Sequence, residues 1–313
     1  MPRKKKKQEK IEYSNKEEKL KALQKIVRQF NRSHDKELIK FGKEIEKERE
    51  RISFGLKALD KLTGGGIPVG LFTVIWGNKS TGKTTLTYKI IAEAQKQDKI
   101  VAFFDLENTF DPDWAIKQGV NTEELVLGYF DTAEEAMDAL IVMAENKAVD
   151  LVVIDSIQAM SPKGEQRNKS GTTRSIEEDE MALLARKLSK FFRITAPKIN
   201  EGNIAVVMIG QARMDIGGFI ALETLSGGRG LAHWASLIIK MRRGEKSNAP
   251  YTRIKDEKTG KSKKVIIGFD CVFKLEKKKV KSMPEGTEIH LPFIFEEGFE
   301  DVDVEMEEVE DGE

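Results

Sequence analysis

Phe72-Thr73-Val74-Ile75-Trp76 leads into Gly77-Asn78-Lys79-Ser80-Thr81-Gly82-Lys83-Thr84-Thr85, and this junction decides the fold. The loop fits G-x-x-x-x-G-K-[ST], with an apolar strand before it and an apolar-periodic helix after it. Glycines at its ends let the backbone wrap close to phosphates while N–H groups at the helix start point inward. The pattern predicts nucleoside triphosphate binding by Gly77–Thr85. Lys83 would contact β- and γ-phosphates, and the Thr84 hydroxyl would bind Mg²⁺.

Outward from this loop, short apolar runs alternate with helical patterns. Phe72–Trp76, Ile100–Asp105, Leu125–Phe130, Leu151–Asp155 and Ile204–Gly210 read as buried strands. Thr84–Gln95, Asp113–Gln118, Ala133–Glu145 and Glu178–Ile194 read as helices between them. Alternation of this kind implies a mainly parallel, twisted sheet flanked by helices, an α/β P-loop NTPase fold. After Leu237 the chain becomes strand-rich (Leu237–Arg242, Lys264–Leu275, Glu288–Phe295), which predicts an antiparallel extension of the sheet. Residues 51–295 are therefore expected to be the core. Residues 1–50 form a basic helical arm, with Leu20, Leu23, Val27 and Phe30 at helical spacing and Leu38, Phe41 and Ile45 weaker. Such an arm must dock on its own core or on another copy.

The 313 residues are 39% hydrophobic and 34% charged, enough for a packed interior. A single cysteine, Cys271, excludes an internal disulfide and a cysteine-based zinc site, and three scattered histidines make no metal cage. No apolar run approaches the ~20 residues of a membrane span, and the basic N-terminus lacks a signal-peptide core. A cytoplasmic protein is expected. The net charge of +1 conceals a division: residues 296–313 carry 11 acidic side chains and no basic one. The rest holds 53 basic against 41 acidic residues. The expectation is a polyanion-binding body with a disordered acidic tail at 296–313.

Three strand ends carry further chemistry. Asp155 closes the apolar run Leu151–Ile154, where a P-loop fold needs an acid to hold the Mg²⁺ hydration shell. Ser156 follows it, within reach of the γ-phosphate. Phe103-Phe104-Asp105-Leu106-Glu107 is a second acidic end, and Glu107 is the better placed to polarise an attacking water. The third is Gln211, whose amide can touch the γ-phosphate. Behind it come Arg213, Met214, Gly217, Gly218, Phe219, Gly227, Gly228 and Arg229, a glycine-rich stretch. A polar segment with Lys163, Arg167, Lys169 and Arg174 forms another basic loop, and two such loops suit a nucleic-acid backbone.

Taken together, these residues resemble the RecA-type recombinases over about Ile52–Phe295, and more weakly over Leu20–Glu50. Leu59–Gly70, the P-loop, Asp105–Pro112, Asp155-Ser156, Pro162-Lys163, Gln211–Met214, Gly227-Gly228 and Ala235-Ser236 carry the likeness. The resemblance implies that Glu107 activates water and that Gln211 couples the γ-phosphate to a second DNA-binding loop, about 212–226. It implies a first loop at about 163–179, leading into a helix with Met181 and Arg186. It places Asp111 and Trp114 at adenine, and Lys277 and Lys279 on the ATP of a neighbouring subunit. His233 and the long first loop depart from the family pattern. So does the direct passage from Phe295 to the acidic tail, which suggests a shortened or phage-encoded form. The implied activity is DNA-dependent ATP hydrolysis by a helical filament on single-stranded DNA, pairing it with double-stranded DNA in recombination and repair. ATP and Mg²⁺ would be required, and single-strand-binding and loading proteins would be partners. Two rivals stay open: a hexameric helicase-type motor, and a non-catalytic recombination mediator.

Overall fold

The computed structural model describes residues 13–35, 37–44, 49–159, 179–215, 222–225, 228–255 and 262–302. Residues 1–49 form one unit and residues 50–313 another. In the first, α1 (Lys16–Ser33) starts at Asn15, whose side chain accepts from Glu18 N at 2.9 Å. Leu20, Leu23, Ile26 and Phe30 are exposed along it. Asn31 gathers the next segment, donating to Ile39 O and accepting from Leu38 N and Ile39 N. Among the described residues the weaker pattern over 38–45 yields one turn, Gly42–Glu44, and no second α-helix.

The second unit opens with β1 (Arg51–Ile52), α2 (Lys57–Thr63), β2 (Ile67–Pro68), β3 (Phe72–Gly77) and α3 (Lys83–Lys96). Next come β4 (Val101–Asp105), α4 (Pro112–Lys117), β5 (Leu125–Gly128), α5 (Ala133–Asn146), β6 (Leu151–Asp155) and α6 (Asp179–Gly202). The chain continues through β7 (Ala205–Asp215), β8 (Leu222–Leu225), α7 (Gly228–Trp234) and β9 (Leu237–Arg243). It closes with β10 (Tyr251–Lys255), β11 (Ser262–Ile266), β12 (Gly268–Lys278), β13 (Glu288–Ile294) and β14 (Gly298–Phe299).

The main sheet has the order β14-β13-β12-β9-β3-β7-β6-β4-β5. Pairing is parallel from β9 to β5 and antiparallel from β9 outward to β14, as the strand-rich stretch after Leu237 predicts. Alternation along β3 divides the core. Phe72, Val74 and Trp76 pack with α5, α6 and α7, while Ile75 packs with α2 and α3 on the other face. Fully burying each such side chain stabilises by roughly 1.5–3 kcal/mol. Among the described residues no helix is long and apolar enough to cross a membrane.

Four departures from the sequence expectations have physical causes. Strand β7 runs five residues beyond Gly210, because β8 pairs with it (Ala212↔Leu225, Met214↔Glu223) and satisfies its backbone groups. Helix α6 continues past Ile194 through Pro197 to Gly202, since Ile199 keeps its apolar face buried. The expected strand Lys264–Leu275 is two strands, and its first part pairs with β10 in a separate sheet. Finally, order persists beyond residue 295: Gly298-Phe299 pairs with β13, Phe299 is buried, and Lys57 N donates to Asp301 Oδ1 at 2.7 Å. The tail residues 303–313 lie outside the described residues.

Candidate nucleotide site and its surroundings

The strand-to-helix junction after β3 has two positions that only glycine satisfies. Gly77 has φ +158°, and a Cβ there would sit 1.9 Å from Met241 O. Gly82, with φ +89°, begins α3 with its Cα against the Phe293 and Phe299 rings, the latter 2.8 Å from an added Cβ. This packing sets the loop against the antiparallel side of the sheet. A cavity of about 500 Å³ opens over it. Lys79, Ser80, Lys83, Thr84, Thr85, Glu107, Asp155 and Gln211 line it, as the sequence predicts for a phosphate site.

Lys83 Nζ donates to Gly77 O at 3.0 Å and Asn78 O at 2.6 Å. Burial holds its pKa below the usual lysine value. Thr84 Oγ1 donates to Asp155 Oδ2 at 2.9 Å. Burial pushes the Asp155 carboxyl up to about 6, against the opposing Thr84 hydrogen bond, with the Glu107 charge adding to the rise. These hard oxygen donors fit Mg²⁺, which is commonly held by one or two protein oxygens together with substrate phosphates and water. Among the described residues no group of three or more His, Cys, Asp or Glu forms a larger metal cage.

The raised pKa of Asp155 has a stability consequence. An acid whose folded pKa lies above its unfolded value binds more protons in the folded state, so stability falls as pH rises through that window. Between pH 5 and pH 7 the loss from this group is about 1 kcal/mol. In Asp155→Asn that component is absent. Denaturant melts of the two proteins at both pH values should therefore converge toward acid pH; parallel curves would reject the buried charge.

Glu107 stands two residues beyond β4, and the 105–110 turn is set by Asp105, whose Oδ2 accepts from Phe110 N at 2.8 Å. Ser156 Oγ donates to Glu107 Oε1, and Gln211 Nε2 donates to the same oxygen at 2.9 Å. The three strand-end residues thus meet at one carboxylate. Gln158 holds Gln211 by its backbone, accepting from Gln211 N at 2.8 Å and donating to Gln211 O at 3.3 Å.

Asp111 caps α4 by accepting from Trp114 N at 3.0 Å. Trp114 is joined to the cavity through Thr85, its Nε1 donating to Thr85 Oγ1 at 3.1 Å. The aromatic lining of the cavity comes instead from Phe269, Phe293 and Phe295, which sequence reasoning did not single out. Arg243 was also missed. It donates to Ser80 O at 3.0 and 2.7 Å, and its guanidinium lies 4.3 Å from the Phe269 ring centroid. Phe269 lies on β12, Phe293 on β13 with Phe295 just after it, and Arg243 ends β9; the pattern of those strands cannot reveal that they border the P-loop.

Lys277 and Lys279 do not line the cavity of their own chain. Both ammonium groups donate to carbonyls at the end of α7, Lys277 to Ala232 and His233 and Lys279 to His233. Partial burial, together with the neighbouring Lys279, holds the Lys277 pKa below its usual value. A second chain of contacts was not legible either. Asn78 Nδ2 donates to Glu223 Oε1 at 2.6 Å, and Lys240 pairs with Glu223 Oε2 at 2.9 Å. Lys240 lies 4.7 Å from the Trp76 ring centroid, and Trp76 Nε1 donates to Glu276 at 2.7 Å. The P-loop is therefore fastened to β8, β9 and β12 by side chains.

Of the expected DNA-loop residues, Lys163, Arg167, Lys169, Arg174, Gly217, Gly218, Phe219 and Gly227 lie outside the described residues. Met181 and Arg186 fall on α6, Arg213 and Met214 on β7, and Gly228 and Arg229 on α7. Arg186 is exposed.

Residues 20–298 match the family model described as the RecA N-terminal domain. The chain belongs to the RecA family. It is 38% identical to Protein RecA of Colwellia psychrerythraea over 224 residues, and 37% identical to Protein RecA of Marinobacter nauticus over 224 residues. Each alignment covers 71% of this chain and 62% of the relative, so the match spans about three-fifths of those RecA proteins. The crystal structure of the RadB recombinase superposes with a TM-score of 0.55 at 24% identity, covering 80% of this chain and all of RadB. That likeness supports the RecA-like P-loop fold expected from the strand and helix pattern.

Proposed function

We propose that this RecA-family chain is a DNA-dependent ATPase that assembles on single-stranded DNA and promotes homologous pairing and strand exchange. The observation that carries the reading is the convergence of Gln211 and Ser156 on Glu107 at the edge of the P-loop cavity. It ties the nucleotide site to β7 and β8, which flank the segment expected to contact DNA.

The Gly77–Thr85 backbone and Lys83 bind the ATP phosphates. Thr84 and Asp155 are the residues that would hold Mg²⁺, which when bound neutralises charge on the β- and γ-phosphate oxygens. Glu107 accepts a proton from the attacking water as the new oxygen–phosphorus bond forms. The bond from the γ-phosphorus to the bridging oxygen breaks, and ADP leaves with the electron pair. Gln211 responds to the γ-phosphate, so its hydrogen bond to Glu107 exchanges as the nucleotide changes and the β7–β8 arm shifts with it. Lys277 and Lys279, which do not line their own cavity, supply positive charge to the ATP of an adjacent subunit. The exposed apolar row of α1 (Leu20, Leu23, Ile26, Phe30) packs on that neighbour.

ATP hydrolysis measured with and without single-stranded DNA across a salt series tests this reading. Stimulation should be strongest at low salt and fall steeply as salt rises, because phosphate contacts release counterions. Absence of stimulation at low salt would sink it.

A further inference from the structure

Strands β10 and β11 form a sheet of their own, in the register Tyr251↔Ile266, Arg253↔Lys264 and Ile254↔Lys263. Every described side chain on both strands is exposed except Val265, which is half-buried. The body of the protein therefore covers neither face of this ribbon. From Tyr251 to Ile266 the sequence holds six basic and two acidic residues. Arg253 directly opposes Lys264, a cross-strand pairing of like charges that destabilises a ribbon in isolation. The ion pairs seen among the described residues use other cations than Arg253, Lys263 and Lys264. A ribbon that keeps opposed cations in solvent gains stability when an anion lies against them.

We propose that the β10–β11 ribbon is a docking surface for the phosphate backbone of double-stranded DNA. Two geometric facts favour a duplex. Two strands about 4.8 Å apart and five residues long fit a major groove about 12 Å wide. Single-strand platforms instead offer open aromatic faces to the bases. The ribbon has one aromatic, Tyr251, and the Lys264 ammonium already lies 3.8 Å from its ring centroid. The proposal deepens the DNA-dependent reading of the chain by naming a surface for the second, duplex substrate.

The test uses the full chain with Arg253→Gln, Lys263→Gln and Lys264→Gln combined, a fluorescent 30-base-pair duplex and an equal-length single strand. All three positions are exposed, so the melting temperature should stay within a degree or two of the parent. Duplex affinity at low salt should fall about tenfold or more, and its salt slope by about 1 per lost contact. ATP hydrolysis stimulated by single strands should not change, and Lys264→Arg alone should bind like the parent. Unchanged duplex affinity and slope overturn the proposal. An equal loss for the single strand overturns the duplex assignment. Removal of residues 303–313 that raises duplex binding equally with and without the ribbon cations places the duplex elsewhere on the protein, and overturns it too. Should the parent bind duplex through these residues yet hydrolyse ATP indifferently to single strands, the ribbon stands and the functional reading falls.

Discussion

In Lys83→Ala, ATP-dependent assembly on single-stranded DNA is lost and hydrolysis falls by at least about 10²-fold, the scale expected when a preorganised cation is removed from a transferring phosphate. The geometry explains why no other side chain substitutes. Lys83 is buried at the start of α3, with its ammonium held between the Gly77 and Asn78 carbonyls, inside the cavity. Lys79 and Arg243 also line that cavity, but Arg243 is tied to Ser80 O and Lys79 precedes the helix start, in the loop itself. Alanine also removes two hydrogen bonds to loop carbonyls, so a melt should accompany the assay. A drop in melting temperature with hydrolysis intact would mean that Lys83 braces the loop and does nothing to phosphate.

Glu107→Gln separates assembly from turnover. Glutamine keeps the size of the side chain and an oxygen that can accept from Ser156 and Gln211, but it cannot take the proton of an attacking water. Turnover should fall by about 10²–10⁴-fold, the usual contribution of a general base. ATP-dependent DNA binding should persist, and DNA dissociation should slow because the γ-phosphate is retained. Single-turnover hydrolysis measured beside DNA anisotropy checks both halves. Normal turnover would reject Glu107 as the base; loss of DNA binding with loss of turnover would assign it to coupling alone.

The parts of the site legible in the sequence share a local cause. Gly77, Gly82, Lys83 and Thr84 lie within eight residues, and their chemistry depends on backbone geometry that glycine spacing encodes. Asp155 and Glu107 were readable because an apolar strand that ends in a carboxylate places that group at the sheet edge. Gln211 was readable as a strand end, although the strand itself runs on to Asp215. The separation of β11 from β12 was not readable, because the apolar run Val265–Ile267 leads into Phe269 and Cys271–Phe273 with a lone Gly268 and no proline between them. Nor was the sheet-forming role of Gly298-Phe299, two residues inside an acidic stretch whose charge suggested a solvated end.

By itself the sequence determined the α/β class, the parallel core with its antiparallel extension, the G-x-x-x-x-G-K-T loop and the three strand ends that line the cavity over it. Periodicity and turn residues encode these over a few positions, so no partner segment is needed to read them. Tertiary structure alone decided which distant residues meet. Gln211 reaches Glu107 across 104 residues, Arg243 reaches Ser80 across 163, and Glu223 fastens Asn78 across 145. Phe293 and Phe299 close on Gly82 only because β13 and β14 extend the sheet beside the P-loop. Strand order is set by packing both faces of one sheet, and a strand's own residues do not name its neighbour.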